Sequence, residues 1–131
     1  MKFYKNFLVS CLIFITPTGS CCANDRGLWK ALKDGDAVVL IRHALAPGIG
    51  DPDQFTIGDC SSQRNLNEIG RDQARKIGLL FRANDVKKAD LFSSEWCRCL
   101  ETAQLLKLGV SKKLNLLNSF FTDWSSFSKS K

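Results

Sequence analysis

Residues 37–41 (AVVLI) form an unbroken run of β-branched and aliphatic side chains, and it ends abruptly at Arg42-His43. An apolar run of this length with no polar alternation suits a strand buried on both faces, as in the middle of a parallel sheet. Such a strand asks for paired neighbours on either side and for helices above and below. Few architectures other than a layered α/β domain supply both.

The rest of the chain alternates accordingly. Residues 25–33 (DRGLWKALK) predict a short amphipathic helix capped by Asp25, with Leu28, Trp29 and Leu32 on one face and Gly35 ending it. From Ala44 to Arg64 there is no periodicity, and Pro47, Gly48, Gly50, Asp51, Pro52 and Gly58 mark a long loop. Loops of about 20 residues inside a compact domain are commonly functional. Asn65 with Glu68 three residues on reads as a capping box. The face Gly70, Ala74, Ile77 and Phe81 then runs to about Arg82. Residues 89–93 (ADLFS) predict a second strand. Ser93 or Ser94 caps a helix over 95–108, Gly109 ends it, and residues 114–117 form a weak third strand. The expected fold class is α/β, a mostly parallel sheet with flanking helices and right-handed crossovers. Beyond Leu117 the pattern dissolves into a polar tail, residues 122–131.

With 131 residues there is room for one domain, and the first 23 are not expected to belong to it. Lys2 and Lys5 precede an apolar run, residues 7–16, and then the mostly small residues 17–23, which is the order of a secretory signal peptide cleaved near Ala23. Cys21 as a lipidated residue is the weaker alternative, because no Leu stands three positions before it. The apolar run of about 10 residues is too short for a membrane-spanning helix, which needs roughly 20. Export, to a periplasm-like compartment, is therefore expected. The formal charge of +6 is scattered rather than striped, with Lys87-Lys88 and Lys112-Lys113 as solvated pairs, so no nucleic-acid partner is expected.

Of the 6 cysteines, Cys11, Cys21 and Cys22 lie in the leader, leaving Cys60, Cys97 and Cys99. In an oxidising compartment that count means one disulfide and one free thiol. Cys97 and Cys99 point about 200° apart on a helix and should not bridge each other. Cys60 pairs with one of them. Cys99 shares an apolar stripe with Trp96, Leu100 and Ala103, which favours Cys97 as the partner. His43, Cys60, Cys97 and Cys99 have the side chains of a metal site but lack the close C-x₂-C pairs of structural zinc, so no metal or organic cofactor is expected.

Chemistry gathers at two places. Arg42-His43 stands at the carboxyl end of the predicted central strand, where open α/β sheets bind ligands. Arg98 falls in the first turn of the helix after the second strand, where free N–H groups and the helix dipole favour an anion. Parallel strands would bring the two together, and a guanidinium offers paired donors to a phosphate. Arg98 pairing with Glu95 or Glu101 on the helix surface is the competing arrangement.

The segments LIRHALAPGIGDP (40–52), RNLNEIGRDQA (64–74) and FSSEWCRCLETAQLL (92–106) resemble the histidine phosphatase superfamily, the phosphoglycerate-mutase-like fold, and most closely its exported bacterial branch. The resemblance runs from about Trp29 to Phe121, within a partial domain at residues 24–121. It covers roughly the first two thirds of such a domain, as expected of a chain truncated at its C-terminus. It implies that His43 is a nucleophile forming a phosphohistidine, that Arg42 and Arg98 hold the phosphoryl oxygens, and that the substrate is a phosphorylated small molecule. Ala44 stands where most of the superfamily has glycine, a small intrusion. Asp123 is the candidate proton donor. The superfamily's second, late histidine has no counterpart, because the sequence contains 1 histidine. The expectations are thus an impaired phosphomonoester hydrolase or a non-catalytic phosphate-binding remnant. A small disulfide-containing binding module with structural arginines stands as a third. Too few strands for the apolar run predict marginal stability. The sequence does not indicate an oligomeric state.

Overall fold

The computed structural model describes residues 25–119. The expected leader, its three cysteines, Asp123 and the polar tail lie outside the described residues. Among the described residues three helices are present, α1 (Asp25–Asp34), α2 (Glu68–Ala83) and α3 (Cys97–Leu106), with two short strands, β1 (Leu91–Ser93) and β2 (Ser111–Lys113). Single 3₁₀ turns occupy Cys60–Ser62 and Asn115–Leu117.

β1, α3 and β2 form one β-α-β unit whose strands pair in parallel, Leu91 opposite Ser111 and Ser93 opposite Lys113. α2 lies against α3 through its buried face of Gly70, Ala74, Gly78 and Phe81. Two of these positions require glycine because backbone approaches them. A Cβ on Gly70 would stand 2.0 Å from the Leu45 carbonyl oxygen, and one on Gly78 would stand 2.2 Å from that of Leu106. α1 caps the far end of this layer, where Trp29 meets Phe81 edge-on with ring centroids 5.5 Å apart. Trp29, Leu32, Ile77 and Leu91 surround the buried Phe81, Val86, Leu106 and Leu108. A second, smaller cluster joins Ala44 and Ala46 of the loop to Leu66 and Ala74.

Several expectations are corrected. Residues 37–41 form no strand, and Val38 and Leu40 are 87% and 89% exposed. The reason is partnership: among the described residues the sheet consists of β1 and β2 alone, and neither bonds to this run. Leu28 turns outward from α1. The cap of α2 is Asn67, whose side chain accepts the Gly70 N–H at 2.8 Å. Asn65 instead donates to the carbonyls of Cys60 and Gln63, and Glu68 pairs with Arg71. Neither Ser93 nor Ser94 caps α3. Trp96 is its N-cap without a side-chain bond, and Lys107, in the left-handed conformation, closes it before Gly109 is reached. The parallel partner of β1 is the polar Ser111–Lys113 rather than residues 114–117, whose apolar leucines enter a 3₁₀ turn. Cys99 is half-buried, not sealed in the core.

Candidate anion-binding site

The unpaired segment becomes fixed just beyond His43. The Ala44 N–H donates to Thr102 Oγ1 of α3 at 3.0 Å, and the Leu45 N–H donates to Gln73 Oε1 of α2 at 2.9 Å. Ala44 and Ala46 are buried where the loop crosses both helices. Arg42 and His43 are thereby held at the mouth of a cleft of about 1450 Å³, shared with Asp51, Arg64, Trp96 and Arg98.

His43 Nδ1 lies 2.7 Å from the Ala44 carbonyl oxygen. A carbonyl can only accept, so Nδ1 carries the proton and Nε2 keeps its lone pair. The imidazole pKa is lowered from its ordinary value. Burial is the foremost cause, the bond to Ala44 opposes it, and the charges of Arg98, Arg42 and Arg64 lower it further. The site therefore favours a neutral histidine in a positive field.

Arg98 is buried at the start of α3. Its Nη1 donates to Asp51 Oδ1 at 2.8 Å, and the pair's side chains are only 7% and 8% exposed. The same Asp51 oxygen accepts the Arg64 N–H at 2.9 Å, and the Arg98 guanidinium lies 4.5 Å above the Trp96 ring. Arg98 Nε and Trp96 Nε1 are buried with no hydrogen-bond partner among the described residues. A buried donor left in this state costs about 1–3 kcal/mol, so an acceptor arriving beside it is rewarded. The surface partners weighed from sequence are engaged elsewhere: Glu101 with Arg71 at 2.6 Å, and Glu95 with Asn118. The first N–H of α3, at Cys97, donates to Gln63 Oε1 at 2.9 Å.

Cys60 and Cys97 are joined by a disulfide with Cα atoms 5.5 Å apart, leaving Cys99 free. The bridge ties the loop to the residue before Arg98. Beside it Phe55 packs on Trp96 with ring centroids 4.8 Å apart. Among the described residues no cluster of His, Cys, Asp and Glu could hold a metal ion, and no helix is long and apolar enough to cross a membrane. Sequence reading named Arg42, His43 and Arg98, which share the cleft, and missed Asp51 and Arg64. Arg64 opens one of the three quoted segments, yet nothing in its local pattern distinguishes it. Asp51 is one of several loop acids.

Fold and cleft together define an α/β protein with a neutral histidine set among arginines, suited to holding an anion. The family model for the histidine phosphatase superfamily (branch 1) matches residues 38–124, well over half of the chain, and the chain belongs to that superfamily. Its three helices and small parallel sheet are part of an α/β fold of this kind. Membership supports a phosphatase-like function on phosphorylated substrates. Neither the curated proteins nor the solved structures contain a match to this sequence.

Proposed function

We propose that the cleft hydrolyses a phosphomonoester through a phosphohistidine at His43. The observation that carries this reading is the presence in one cleft of an Nε2 lone pair, freed by the bond at Nδ1, and the buried Nε of Arg98, which has no partner among the described residues. In this reading Nε2 attacks phosphorus and the bond to the ester oxygen breaks. The departing alcohol takes a proton, for which Asp123 is the candidate donor, and water then cleaves the P–N bond. Arg42 and Arg98 neutralise the phosphoryl oxygens, the dominant contribution in such transfers.

The buried ion pair that Arg98 already makes with Asp51 favours a second reading, a phosphate-binding protein that does not turn over. One experiment separates the two. The full chain is incubated with 4-nitrophenyl phosphate, quenched in alkali and mapped by mass spectrometry for a phosphoryl group on His43. An acid-labile adduct that disappears in His43→Ala, and falls about 10²–10³-fold in Arg98→Gln, supports the enzyme. Phosphate binding that depends on Arg42 and Arg98 without an adduct supports the binder. The absence of both overturns both.

Export to an oxidising compartment, with residues 1–23 removed, is part of the proposal. The charged, apolar and small-residue order of that stretch supports it, as does a disulfide next to the site.

A further inference from the structure

Arg64 has a different situation from the two arginines assigned to the phosphoryl group. The loop curls around its guanidinium: Nε donates to the Gly50 carbonyl at 2.7 Å and Nη1 to that of Ala46. Gly48 lies against its stem, where a Cβ would touch Cδ at 3.5 Å. Its backbone is fixed as well, the N–H on Asp51 and the carbonyl facing Arg98 Nη1 at 3.4 Å. Two carbonyls orient a guanidinium but do not neutralise it. Among the described residues Arg64 has no carboxylate partner, in contrast to Arg98. Nη2 has no hydrogen-bond partner among the described residues, so a half-buried, oriented cation with unspent donors faces the cleft that holds His43.

We propose that Arg64 is a specificity residue that receives a second anionic group of the substrate, so that the cleft selects phosphomonoesters carrying a further phosphate or a carboxylate. This rests on the phosphate-binding reading of the cleft. The fork is held in place before the ligand arrives, so little side-chain entropy is lost on binding. Of the three arginines acting on His43, Arg64 has the weakest influence.

The test is calorimetric binding of three probes to the full, oxidised chain: orthophosphate, methylenediphosphonate and phosphonoacetate. The wild type is expected to prefer at least one two-anion probe over orthophosphate by about tenfold or more. The probe preferred tells whether the second anion is phosphate or carboxylate. In Arg64→Gln that ratio collapses towards one. In Lys76→Gln, which removes an exposed cation of the same cleft, it changes by less than about twofold, because diffuse attraction is screened. Equal loss in both variants makes the preference one of general charge and overturns the proposal. So does a wild type that binds orthophosphate through Arg98 yet shows no preference, an outcome that leaves the phosphate-binding reading intact. Failure of the wild type to bind any probe overturns both. The wild-type ratio needs no folded variant and decides by itself whether a second subsite exists.

Discussion

His43 shows how a single residue's surroundings set its chemistry. A free histidine titrates near 6.5. Here burial, seconded by Arg98, Arg42 and Arg64, lowers that value against the opposing bond to Ala44. The unfolded chain therefore binds the extra proton first as pH falls. His43 costs no stability well above pH 6.5, and the fold loses stability as the pH drops from there to the depressed folded value. The folded imidazole stays neutral in the same window. Because the sequence holds 1 histidine, its C2–H resonance is unambiguous by NMR. The midpoint is expected below 6.5 and should rise in Arg42→Gln, which removes an exposed cation with no carboxylate partner among the described residues. A midpoint at or above 6.5 would rule out the positive, desolvated environment. His43, Arg42 and Arg98 were brought together in the sequence reading by side-chain type and by an expected strand end. The structure places all three on one cleft, although the strand expected to end at Arg42 is not present among the described residues. Asp51 was not legible in sequence, since the bond it makes to Arg98 spans 47 residues and starts in a loop without periodicity.

At the scale of elements, the contact between α2 and α3 depends on a missing side chain. In an exposed helix Gly→Ala gains about 1 kcal/mol. At Gly78 the new Cβ would meet the Leu106 oxygen at 2.2 Å and its carbonyl carbon at 2.8 Å. These are backbone atoms that cannot rotate away, so α2 must lift from α3. Gly78→Ala is expected to destabilise by roughly 2 kcal/mol despite the better propensity. Urea denaturation measures this, and a neutral or stabilised variant would show that the helices are not in such close approach. The sequence made α2 legible through its apolar face, and Gly70 on that face was read correctly. Gly78 was passed over, because a close approach leaves no mark other than the glycine itself. Helix ends moved by two residues where Asn65 and Asn67 offer equivalent caps and tertiary bonds decide between them. Residues 37–41 misled for another reason. β-propensity describes fitness for a pleated, covered surface, and neither described strand provides that cover.

For the molecule as a whole, the described residues bury two modest clusters, and no large side chain is fully enclosed. Domains near this size have net stabilities of only about 5–15 kcal/mol, and small cores fall at the lower end. Against that margin the covalent link between the loop and α3 is large. Cys60 and Cys97 are 37 residues apart, and closing a loop of that length in the unfolded chain corresponds to about 4 kcal/mol on the chain-entropy account. The bridge also acts on the middle of the loop, which is otherwise held to α3 and its N-cap by Gln63, Asp51 and the Phe55–Trp96 contact, while Ala44 and Arg64 tie the loop's two ends. Breaking it should therefore loosen the loop and the Asp51–Arg98 pair together, coupling stability to the anion site. In a Cys99→Ser background, which prevents disulfide exchange, reduction is expected to lower the unfolding free energy by about 2–4 kcal/mol. Orthophosphate affinity should weaken in parallel. Urea titration with and without reductant, repeated with phosphate present, measures both. If reduction moves the midpoint by the equivalent of less than about 1 kcal/mol, the noncovalent packing alone holds the loop. If stability falls while phosphate affinity is unchanged, the loop and the site are independent. A fall in both makes oxidising conditions a requirement for anion binding, because the same bond that holds the fold then also holds Arg98 in its cleft.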